Sequence, residues 1–108
     1  MTAPVLVMSA VGAQSDAQKI ARTLVEERVA ACVNIVPGIT SIYRWKGAVE
    51  QEGEVLLVIK TIGERVEQLK ARLVELHPYE LPEVVVLPIA GGHAPYLAWI
   101  AEQVRPLL

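Results

Sequence analysis

The 108 residues predict an α+β sandwich in which a four-stranded sheet is covered on one face by helices. Short runs of branched apolar residues alternate with amphipathic helical stripes in the order β-α-β-β-α-β. The two central strand-like runs meet at a tight turn rather than a helix, and one more helical stripe closes the chain. With right-handed crossovers, this order gives a ferredoxin-like arrangement carrying an extra C-terminal helix.

Residues Pro4 to Val11 are rich in branched apolar side chains and too few for a stable helix, so they read as a strand buried on both faces. Ser15-Asp16-Ala17-Gln18 matches a capping box, which starts the first helix at Ser15. Ala17, Ile20, Ala21, Leu24 and Val25 supply its apolar stripe. Val29 to Trp45 reads as one long strand bent at Pro37-Gly38, where proline removes a ladder donor and glycine tolerates a kink. Lys46-Gly47 makes the turn, and the return strand ends in the apolar run from Glu54 to Thr61. The acidic stretch Glu50-Gln51-Glu52 is expected to lie beyond the covered part of the sheet.

Thr61 and Glu64 suggest a second capping box, for a helix with Val66, Leu69, Leu73 and Leu76 as its stripe. Pro78 stops that helix at His77. Within Leu81 to Ile89, residues Val84 to Leu87 form the fourth strand. Pro95 opens the third helix, whose Leu97, Ile100, Ala101 and Val104 face one way before Pro106.

A content of 53% hydrophobic and 20% charged residues excludes disorder as a global description, and the length fits a single domain over residues 1–108. Ten basic residues against twelve acidic ones leave no basic footprint for phosphates. Phe is absent and neither central strand carries a basic-aromatic stacking pattern, so no nucleic-acid partner is expected. The single Cys excludes an intramolecular disulfide and a Cys-rich zinc cage, which favours a reducing, cytoplasmic location. No basic n-region precedes the first apolar stretch and no uncharged run approaches the ~18 residues of a membrane span, so neither export nor a membrane is expected. Strands as evenly apolar as Val5–Val11 and Val55–Ile59 require cover on both sides, and the chain has only one helix to spare. Identical subunits packing sheet against sheet are therefore expected.

His77-Pro78-Tyr79-Glu80 joins an imidazole, a phenol and a carboxylate just beyond a helix end. It serves either as a metal-binding cluster or as a helix terminus with a dipole-compatible histidine. Cys32, within Ala30-Ala31-Cys32-Val33, is either a small hydrophobe or a thiolate for a soft metal. Tyr43 and Trp45 share one side of their strand by period two, as core or interface packing requires. Lys60 closes an apolar strand and either meets an anion or reaches solvent. His93, after Gly91-Gly92, reads as an exposed loop histidine. Cys32 and His77 are nominally a nucleophile and a base, but no nucleophile elbow, Walker sequence or dinucleotide fingerprint accompanies them, so no enzymatic activity is expected.

The segments Glu26–Gly38 (EERVAACVNIVPG), Ser41–Gly47 (SIYRWKG), Ile59-Lys60-Thr61, His77–Glu83 (HPYELPE) and Tyr96–Ile100 (YLAWI) resemble the CutA family of divalent-cation tolerance proteins, in order and nearly end to end. The resemblance implies a ferredoxin-like homotrimer, similar in assembly to PII-type nitrogen signalling proteins, with long hairpins reaching across to neighbouring subunits. It implies a cytoplasmic protein linked to copper tolerance, binding a divalent metal such as copper, or a small anion, in clefts between subunits. His77, Cys32 and Glu80 would be its metal ligands, and Tyr43, Trp45, Lys60 and Tyr79 would line the cleft. Some members carry a cysteine in the first strand and two adjacent histidines before Pro-Tyr. Ser9 and Leu76 stand at those positions here, so His77 alone remains of that copper constellation. The alternative is a structural or partner-binding trimer with no metal site of its own.

Overall fold

The computed structural model describes residues 3–106 and contains β1 (Pro4–Val11), α1 (Gln14–Glu26), β2 (Cys32–Trp45), β3 (Ala48–Ile62), α2 (Val66–Leu76), β4 (Val85–Pro88) and α3 (Ala94–Gln103). The strands form one sheet in the order β2-β3-β1-β4 with every neighbouring pair antiparallel, which is the ferredoxin-like arrangement. The predicted strand and helix order is therefore the observed one, including the extra C-terminal helix.

Side chains alternate across the sheet, so the pairing register assigns them to faces. Val7 and Val11 stand beside Ile59 and Val55 on one face, where Ile20 and Leu24 of α1 and Leu69 and Leu73 of α2 close over them. On the other face, Leu6, Met8, Leu56 and Val58 are only partly buried. There α3 covers one end alone, packing Ile100 and Val104 on Ala31 and Ile62.

The hairpin is longer than the sheet. β1 pairs with β3 only from Val55 to Ile62, so residues 48–54 of β3 pair with β2 alone and project as a two-stranded arm. The acidic stretch lies on this arm, as expected. The arm stretches the molecule to 45 Å along its longest axis and raises the radius of gyration to 14.4 Å, against about 13 Å for a compact domain of this size. The Lys46-Gly47 turn has positive φ at both residues, 49° and 84°, which matches the twist of a two-residue hairpin. At the bend, pairing passes from Val36↔Leu56 to Ile39↔Glu54, so β2 holds one extra residue, with Gly38 at φ 79°.

Two capping boxes and three boundaries differ from expectation. α1 starts at Gln14 with Ala13 as its N-cap and no side-chain cap, because only Gly12 and Ala13 separate it from β1 and the backbone enters the helix before Ser15. Thr61 caps nothing: it points into the core and its hydroxyl donates to the Val29 carbonyl at 2.8 Å. The chain instead makes a 3-10 turn at Gly63–Arg65 before α2. β2 begins at Cys32 rather than Val29, because Val29 and Ala30 are buried in the turn that follows α1. β4 runs from Val85 to Pro88, one residue later than the expected Val84 to Leu87.

Candidate functional site

The bulge decides what the uncovered face carries. Before it, Cys32, Asn34 and Val36 share that face with Lys60, Val58 and Leu56; after it the phase shifts by one, and Ile39, Ser41, Tyr43 and Trp45 join the same face beside Glu54, Glu52, Glu50 and Ala48. Two polar clusters result, one at each end of an apolar strip.

The first cluster lies where the arm leaves the sheet. Tyr43, Trp45, Glu54, Tyr79, Glu80 and Glu83 line a cavity of about 630 Å³ between the hairpin and the segment after α2. α2 ends at Leu76 with His77 extended as its C-cap, and Pro78 turns the chain back across the end of β1. His77 is buried, with its Nε2 2.8 Å from the Ala10 carbonyl, while its Nδ1 accepts from the Tyr79 backbone N–H at 3.1 Å. Because Nδ1 accepts, Nε2 carries the proton and donates to Ala10. The Tyr79 ring leans on the imidazole at 4.7 Å and its hydroxyl donates to Glu54 Oε2 at 2.6 Å. A Cβ on Gly12 would come within 3.1 Å of that hydroxyl, so glycine leaves the phenol its room.

Burial is the main cause that pushes the Tyr79 phenol above its ordinary value, followed by the bond to Glu54 and the charges of Glu54 and Glu52. Tyr43 is raised in the same sense, by desolvation first and then by Glu52, Glu54 and Glu50. With Glu54, Glu80 and Glu83 against Arg44 in its lining, the cavity is acidic as well as aromatic.

The second cluster lies at the other end. Cys32 pairs with Lys60 across the strands, and its thiol makes only a weak contact with Asn34 Oδ1 at 3.9 Å. Lys60 Nζ donates to the Tyr96 hydroxyl at 3.3 Å and lies 5.5 Å from the centre of that ring, which stacks on Trp99. Lys60 thus has a partner on α3 that sequence reading did not supply.

The expected metal set is not brought together in one protomer. Cys32 lies at the level of Lys60, and the Ala10 carbonyl that holds His77 lies at the level of Leu56, four residues and roughly 13 Å along β3. Both imidazole nitrogens are engaged, and Glu80 reaches out to Lys46 at 3.7 Å. Among the described residues no three His, Cys, Asp or Glu side chains cluster as metal ligands. Ser9 sits on the helix-covered face, fully buried, and Leu76 packs against the same core, so neither position looks into the cavity. Of the four expected cleft residues, Tyr43, Trp45 and Tyr79 share one cavity and Lys60 belongs to the other cluster.

Glu54 was missed because it reads as the polar start of an apolar strand. Its phase with Leu56, Val58 and Lys60 was the available signal, and the bulge that seats it opposite Ile39 was the missing one.

The family described as CutA1 divalent ion tolerance protein matches residues 5–103. A divalent-cation tolerance protein CutA from Thermus thermophilus is 53% identical over 97 residues, covering 90% of this chain and 94% of that protein. Protein CutA from Homo sapiens is 50% identical over 86 residues, covering 80% of this chain but 48% of its own length, so the chain spans about half of that relative. Among solved structures, the Thermus thermophilus protein superposes with a TM-score of 0.92 at 50% identity, covering 94% of this chain and 99% of that one. CutA from Xylella fastidiosa gives a TM-score of 0.92 at 40% identity, covering 94% and 98%.

Proposed function

The chain belongs to the CutA1 divalent ion tolerance family, and from that premise we propose that it acts in the response to divalent cations as a threefold self-associated binding module rather than as an enzyme. The observation that carries this reading is the uncovered sheet face. Leu6, Met8, Leu56 and Val58 are half-open in the middle of a sheet, and Val36, Val85 and Leu87 beside them are 41%, 48% and 38% exposed. Contiguous apolar surface of this kind marks an interface. When copies cover it, the clusters at its two ends are brought against neighbouring chains.

In this reading a metal ion such as copper, or a small anion, is held between copies. Cys32 supplies a free, half-buried thiol suited to a soft or borderline ion, and Lys60 supplies a cation for an anion. His77 does not fit the role of ligand as it stands, since a metal would have to displace either the Ala10 or the Tyr79 bond. A binding module is also favoured over an enzyme by the separation of Cys32 from His77, which keeps these two from acting as a nucleophile–base pair within a protomer.

Calorimetric titration of the assembled protein with Cu²⁺ and Zn²⁺ tests the metal half. Cys32→Ser is expected to weaken binding at least tenfold, and His77→Ala to leave it within about twofold. Equal binding by wild type and Cys32→Ser for both ions would contradict it. The engagement of His77 favours a second reading, an assembly scaffold without a metal of its own. Dissociation of the assembly in His77→Ala on size exclusion, with no metal binding by wild type, would establish that reading instead.

A further inference from the structure

We draw no further inference here: the strongest candidate, the groove between α1 and the edge strand β2 that Ala21, Val25, Val33 and Ile35 line with Lys19 and Arg22, is an unpartnered apolar surface, and nothing in the structure shows what covers it.

Discussion

Val7, Val11, Leu57 and Ile59 on the helix side of the sheet have no exposed surface, whereas Leu6, Met8, Leu56 and Val58, their chain neighbours on the opposite side, stay half-open. The same two central strands supply both rows, with side chains of the same kind. What differs is cover: α1 and α2 span the first face, and on the second α3 covers only the end that holds Ala31, Lys60 and Ile62. The chain therefore has apolar surface for two layers of cover and helices for one and a fraction. A fold can tolerate that imbalance only at the expense of water-exposed apolar area, at about 25 cal/mol per Å², or by recruiting another molecule.

The largest expected effect comes from cutting into the closed face. Leu57→Ala should lower unfolding free energy by about 2–5 kcal/mol in urea titrations, through lost burial and the cavity left behind. Leu56→Ala, measured under dilute conditions, should cost less than half as much; equal losses would mean that the two faces do not differ in cover.

On the open face, charge rather than size is the sharper probe. Val58→Lys should weaken self-association by roughly 2–3 kcal/mol, since the interface would have to desolvate an ammonium. The wild-type thermal midpoint should rise with protein concentration and that of the variant should not. Concentration-independent midpoints for both chains would remove the distinction.

Tyr79→Phe acts at the edge between the two regions and should cost about 1–3 kcal/mol, because it strips Glu54 of its hydrogen bond. It also carries a pH signature. The folded chain raises the phenol above its ordinary value near 10, so this contribution is complete below that value and is lost as pH rises past it. Wild-type stability should therefore fall between pH 10 and higher pH by more than that of Tyr79→Phe, as followed by chemical denaturation at stepped pH.

The smallest effect has the opposite sign. The Ser9 hydroxyl is fully buried on the closed face and has no partner among the described residues, so Ser9→Ala should stabilise the chain by about 1 kcal/mol. A loss of stability would show that the hydroxyl is satisfied after all.

The fold was legible because periodicity reports burial. Ala17, Ile20, Ala21 and Leu24 of the α1 stripe, the Lys46-Gly47 turn and the bend at Pro37-Gly38 stand where the sequence predicts them, whereas Val25, expected in the same stripe, is 40% exposed at its edge. Both capping boxes failed for a common reason: short polar side chains match a local pattern while the connections around them set the helix start. Gly12-Ala13 is too short to wait for Ser15, and Thr61 is committed to the core through Val29. The site was half legible. Tyr43, Trp45 and Tyr79 meet because period two and the hairpin bring them together. That Glu54 joins them depends on one bulge residue, and that His77 is saturated depends on the Ala10 carbonyl from a strand 67 residues away. Tertiary pairings of that kind leave no mark on local pattern.

Sedimentation equilibrium of the wild-type chain, from roughly 0.1 to 10 μM, examines the open face most directly. The account predicts a species of three times the 11.8 kDa chain mass throughout the upper part of that range, lost in Val58→Lys. A single 11.8 kDa species that stays folded at every concentration would contradict it.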